Sequence, residues 1–218
     1  MSKSIERTLW TVAALSLGVI VLSCADPAAA QTYVEFRGGI NQATDYNLSQ
    51  PNLPGTELGG SFRVNHGDGW VGEIAAGRLV SDKTRMEISL SHRVSQLDRL
   101  SGEAVVDAEE YETAPFSVTD LGTATLSTAM LSGYIDFSRD WLINPYVGAG
   151  VGIARATWGG EEEIGAAMQV AAGVAVPLGS SVSLTVDYRI LGTFTKMSAF
   201  GSDEIMSRST MAGLRFNF

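Results

Sequence analysis

The last ten residues, STMAGLRFNF (209–218), place Thr210, Ala212, Leu214, Phe216 and Phe218 on one face and Ser209, Met211, Gly213, Arg215 and Asn217 on the other. A period of two is the mark of a strand lying between two different environments. A frayed, solvated tail has no use for it.

The same alternation recurs upstream. YVEFRGGI (33–40) sets Val34, Phe36 and Ile40 against Tyr33, Glu35 and Arg37, and RMEISLSHRV (85–94) sets Met86, Ile88, Leu90 and Val94 against Arg85, Glu87, Ser89, Ser91 and Arg93. SVSLTVDYRI (181–190) sets Val182, Leu184, Val186, Tyr188 and Ile190 against Ser183, Thr185, Asp187 and Arg189. MLSGYIDF, PYVGAGVGIA and AAMQVAAGVAV alternate more weakly. In WVGEIAAGRL either register sends Glu73 or Arg78 outward, and the better choice is Arg78, whose long stem can snorkel to a headgroup boundary. With the C-terminal segment these make eight strands of the length that crosses a bilayer when tilted.

The connections are lopsided. The joints near 80–83, 138–140 and 177–180 read as tight turns of three or four residues, whereas those near 41–60, 101–121, 158–163 and 192–205 read as loops, mostly much longer. An even number of antiparallel strands with short turns at one end and long loops at the other predicts an all-β, eight-stranded, up-and-down transmembrane barrel with both termini at the short-turn end. No apolar run of 18 residues follows residue 30, so a spanning helix is excluded and a closed barrel is the remaining solution in lipid. A soluble barrel would turn its charges outward. Here the apolar faces are nearly uncharged, the other faces pair acids with arginines, and Tyr188, Phe216, Phe218, Trp141 and Trp158 suit interfacial girdles.

The start of the chain fits export. Lys3 and Arg7 in a polar head, an apolar run from about Leu9 to Leu22, and Ala28 and Ala30 before Gln31 have the layout of a secretory signal peptide over residues 1–30, leaving a barrel domain over 31–218. The single cysteine, Cys24, lies in that leader, so the mature chain forms no disulfide. VLSC (21–24) also has the form of a lipidation box, although Leu22 is a poor fit. The net charge of −9 excludes a nucleic-acid partner.

The segments LSGYIDF, NPYVGAGVGIARA, VDYRILGTF and the closing GLRFNF resemble, in order and spacing, the motifs of the eight-stranded outer-membrane β-barrel family. That family includes opacity-type surface antigens and porin-like proteins, and shares its architecture with the OmpA transmembrane domain. The resemblance covers residues 31–218 and implies residence in the outer membrane of a Gram-negative cell. It also implies that Phe216 and Phe218 on the closing strand form the signal read by the barrel-assembly machinery.

If the polar faces turn inward, five acids, Glu35, Glu73, Glu87, Asp136 and Asp187, meet five arginines, Arg37, Arg85, Arg93, Arg189 and Arg215. At eight strands the bore is just wide enough for side chains, so these ions, with Tyr134, Tyr146 and Gln169, are expected to fill it as paired charges. The other reading is a narrow channel for water or small ions. A third is an enzyme acting on outer-leaflet lipid, for which the nearest cluster is SLSHRVSQ; there Ser91 and Ser95 fall on the opposite face from His92, so no catalytic residue is assigned. GAGVG (148–152) lacks the third glycine and the helix of a dinucleotide site, and no cofactor is expected.

The second loop carries six acids and no base, and GGEEEIG adds three more acids. None has the spacing of a Ca²⁺ loop, and no metal site is assigned. Such loops suit solvation, cation bridging to lipopolysaccharide, or an extracellular ligand such as a host or phage protein. The expectation is therefore a monomeric, non-catalytic structural and surface-interaction protein, with membrane lipid, lipopolysaccharide and the assembly machinery as partners.

Overall fold

The computed structural model describes residues 31–43, 46–50, 60–66, 68–107, 112–119, 122–138, 142–158, 161–193 and 206–218. The leader with Ala28, Ala30 and Cys24, the girdle residue Trp141, and the 194–205 connection lie outside the described residues.

The described chain forms β1 (Thr32–Ala43), β2 (Tyr46–Gln50), β3 (Gly60–His66), β4 (Asp68–Leu79), β5 (Thr84–Asp107), β6 (Glu112–Thr119), β7 (Thr123–Asp136), β8 (Asn144–Trp158), β9 (Glu161–Pro177), β10 (Val182–Thr193) and β11 (Met206–Asn217). Eight of these, β1, β4, β5, β7, β8, β9, β10 and β11, pair antiparallel in that order, and β11 returns to β1 to close the wall. At the seam the Phe218 amide donates to the Thr32 carbonyl at 2.9 Å.

Register fixes the size of the barrel. Stepping across partners from Tyr33 through Gly77, Glu87, Ser132, Gly150, Gln169, Leu191 and Ser207 returns to β1 at Ala43, ten residues along. A shear of ten over eight strands sets a tilt of about 40°, taking about 3.3 Å per residue and about 4.8 Å between strands. Twelve-residue strands at that tilt rise roughly 30 Å, enough for the apolar band of a membrane barrel.

The alternation read from the sequence orients the wall inside out. All ten ionic side chains lie buried, while Phe36, Ile74, Leu131, Val151, Val170, Val186, Leu214 and Phe216 are exposed on the outer surface. Glu73 is buried and Arg78 is on the outer face, the register preferred above. The interior glycines make room for rings: a Cβ on Gly77, Gly148 or Gly173 would collide with Tyr33, Tyr134 or Tyr146 respectively.

Two turns at the end that holds the termini are tight. Val80 donates to the Thr84 carbonyl at 2.9 Å while the Ser81 and Thr84 hydroxyls bond at 2.6 Å, and Leu178 donates to the Val182 carbonyl at 2.9 Å. The third is a correction: β7 ends at Asp136 and β8 begins at Asn144, so this connection is longer than the three or four residues expected. The other end departs further from the expected loops. β5 runs on to Asp107 and pairs with β6 through the stretch expected to be the acidic second loop, while β2 lies within the first and β3 follows from its last residue, Gly60. The third connection shrinks to the residues between Trp158 and Glu161. These strand extensions carry only short alternations, Phe62 and Val64 in β3 and Phe116 and Val118 in β6, set among Gly, Pro, Asn and acidic residues that read as loop.

Candidate functional site in the lumen

Buried charge demands partners, and the lumen supplies them through cross-strand register. Arg37 of β1 is the hub. Its Nε and Nη2 donate to both oxygens of Glu35 at 2.7 and 2.6 Å, its two terminal nitrogens donate to Glu87 at 3.0 and 2.8 Å, and Nη1 also bonds Glu73. Asp187 lies 3.5 Å from its Nε. Arg189 extends the cluster, binding Asp187 through Nε at 2.9 Å and Glu73 through Nη1 at 3.1 Å. Arg215 of the closing strand donates to Glu35 at 2.8 Å, and Thr185 donates to its other oxygen at 2.6 Å. The planar, five-donor guanidinium is the side chain suited to such shared pairing.

Below this belt three tyrosines fix the remaining arginines. Tyr33 donates to Glu87 at 2.8 Å and accepts from Arg85 at 2.8 Å, while Arg85 Nε donates to Asp136 at 3.1 Å. The Arg85 guanidinium lies 4.0 Å from the Tyr134 ring centroid and 4.6 Å from that of Tyr146; that of Arg215 lies 4.8 Å from Tyr33. Cation–π contact of this kind strengthens when desolvated. It also accounts for the terminal nitrogens of Arg85 and Arg215 that have no hydrogen-bond acceptor. A vestibule of about 300 Å³, lined by Gln31, Ser181, Ser183, Arg85, Arg215 and Asn217 among others, opens beneath them.

Above the belt the lining changes. Leu126, Met130, Ala154, Ala156, Ala167 and Leu191 form an apolar cluster. Beside it Asn41 is held by Ser95 at 2.8 Å and by Ser207 at 2.6 Å. Arg93 enters this tier without a carboxylate. Its Nη1 donates to Ser91 and Thr128, and its Nε and Nη2 have no hydrogen-bond partner, nor do Ser89 Oγ and Gln169 Oε1. The structure thus places all ten charged residues inside, brings nine of them into one bonded network, and leaves Arg93 apart. Tyr33, Thr185 and Asn41 complete the lining. They stand on the polar faces of their strands, but the partnerships they make depend on register across strands.

His92 faces outward, away from Ser91 and Ser95. Its Nδ1 lies 2.9 Å from the hydroxyl of Ser127, its register partner on β7, and its ring lies 5.8 Å from that of Trp70. Among the described residues no carboxylate hydrogen-bonds this histidine, and no group of three or more His, Cys, Asp or Glu is arranged to hold a metal ion.

Residues 12–218 match the family described as outer membrane protein β-barrel domain. No curated protein matches the chain. Among solved structures, Neisserial surface protein A is 19% identical, with a TM-score of 0.55 over 87% of this chain and 99% of its own. OprG of Pseudomonas aeruginosa is 9% identical, with a TM-score of 0.55 over 87% of this chain and 96% of its own. At these identities the likeness is one of fold.

Proposed function

The chain belongs to the outer membrane protein β-barrel domain family and resides in the outer membrane; from that premise we propose that it is a monomeric, non-catalytic barrel whose lumen is closed by paired charge and whose function lies at its loop end. The observation that carries this reading is the Arg37 hub, which ties Glu35, Glu73 and Glu87, drawn from three strands, across the middle of the bore. A bore of eight strands has little space left once such a cluster fills it. The strand-extended hairpins beyond the barrel hold the acidic surface for an extracellular ligand or for cations shared with lipopolysaccharide. Phe216 and Phe218 serve barrel assembly, and the termini face the periplasm.

A narrow channel is the second reading, and Arg93 favours it. Its unpartnered nitrogens, with Ser89 Oγ and Gln169 Oε1, are buried polar atoms above the belt that a file of water through the bore would satisfy, while the vestibule is polar space below. Single-channel recording separates the two. The refolded wild-type barrel is expected to be electrically silent, and Arg37→Ala, which removes the hub, is expected to create small steps. Reproducible steps from the wild type that change with Arg93→Ala would establish the channel instead.

A further inference from the structure

Among the described residues, one row near the hairpin end of the outer wall sets an imidazole, a hydroxyl and a guanidinium side by side. Across adjacent strands, His92 of β5 pairs with Ser127 of β7, which pairs in turn with Arg155 of β8. The next outward row towards the termini reads Ile74, Leu90, Ala129 and Ile153, all apolar. Trp70 stands beside His92, half exposed, as an indole does at a membrane interface. Arg155 is held by Glu162 at 2.5 Å and keeps about a quarter of its side chain exposed; a guanidinium has five N–H donors, so one ion pair leaves others free. The row therefore offers an imidazole, a hydroxyl and a guanidinium at the hairpin end of the apolar wall. With the sidedness proposed above, this end of the apolar wall meets the outer-leaflet headgroups.

We propose that this row seats the phosphorylated sugar headgroup of an outer-leaflet glycolipid, with Arg155 and Ser127 donating to phosphate and sugar oxygens and Trp70 packing at the interface. The span argues for a sugar phosphate over a single small phosphate. From β5 to β8 is two strand spacings, roughly 10 Å, so a ligand meeting all three donors must present acceptors over that distance. The inference rests on the membrane sidedness proposed above, with the hairpin end outermost. It assigns no reaction to the His92–Ser127 pair.

The test uses the mature barrel refolded in vesicles containing either lipopolysaccharide or the same lipid stripped of its phosphates. Glycolipid and glycerophospholipid retained per barrel after detergent extraction, each identified by its acyl chains in mass spectrometry, are the readout, and heat-modifiable mobility confirms folding. Wild type is expected to retain the phosphorylated lipid, and Ser127→Ala and Arg155→Gln to lose about tenfold in retention each, the size of one charge-assisted hydrogen bond. Arg155→Lys should recover part of the loss. Equal retention by wild type and both variants, or equal retention of the stripped lipid, overturns the proposal. Retention of glycerophospholipid in place of lipopolysaccharide also overturns it. A reversed membrane sidedness is recognised separately, by protease cleavage of the hairpins from outside intact cells.

Discussion

At Arg37 one guanidinium serves carboxylates from β1, β4, β5 and β10. Removing it would leave Glu35, Glu73 and Glu87 close to one another in the buried interior. Breaking a buried ion pair from one side costs about 3–5 kcal/mol; here Arg215, Arg189 and Arg85 still hold one oxygen or more of each carboxylate, but three acids then share three cations in place of four. Arg37→Met is expected to lose about that much in urea unfolding of the refolded barrel, whereas Arg93→Met, which strands no carboxylate, should cost less or even stabilise. This contrast was not legible in the sequence. Five acids and five arginines on polar faces predict balance, but which cation lacks a partner depends on register around the whole wall. The pairing of His92 with Ser127 is of the same kind: the residues are 35 apart, and only the lengths of β5 and β7 and the hairpin between them bring the two together.

At the scale of the strand, the alternation that gave the fold also dictates where charge is forbidden. Val170 of β9 is half exposed on the outer wall, and its neighbour Gln169 lies buried in the lumen. Val170→Arg is expected to destabilise the inserted barrel by about 2–4 kcal/mol if it sits near the bilayer midplane, read from unfolding in vesicles. Unchanged stability would reverse the inside and outside assigned here. The strands were readable because lipid and lumen differ so sharply that every second residue had to change character. In β2, β3, β6 and the far half of β5 the alternation is short and broken by Gly, Pro, Asn and acidic residues, so these strands are hidden behind loop-like composition. They are also separable from the wall: β6 pairs with β5 alone. Deleting residues 101–118 is expected to leave heat-modifiable mobility unchanged while abolishing any ligand recognition that the acidic hairpin provides.

For the whole molecule, closure is the controlling event. The wall exists as a barrel only once β11 lies between β10 and β1, so a chain ending at residue 205 should accumulate as an unclosed sheet with no heat-modifiable band. With closure come three environments stacked along one axis: a polar vestibule, a charged belt with its tyrosines, and an upper tier of small, apolar and hydroxyl side chains. A silent conductance record would mean that the middle layer seals the other two from each other.

Besides the nearby Arg37, Glu35 is held by Thr185 and Arg215, 150 and 180 residues further along the chain. Contacts this distant in sequence form late and slowly. Until those residues arrive, the carboxylates and guanidiniums of the first strands stay hydrated, so one face of the incomplete sheet is a charged, wetted surface. The docking of β11 between β10 and β1 takes that surface out of water, so burial of the charged belt waits on the strand that closes the wall.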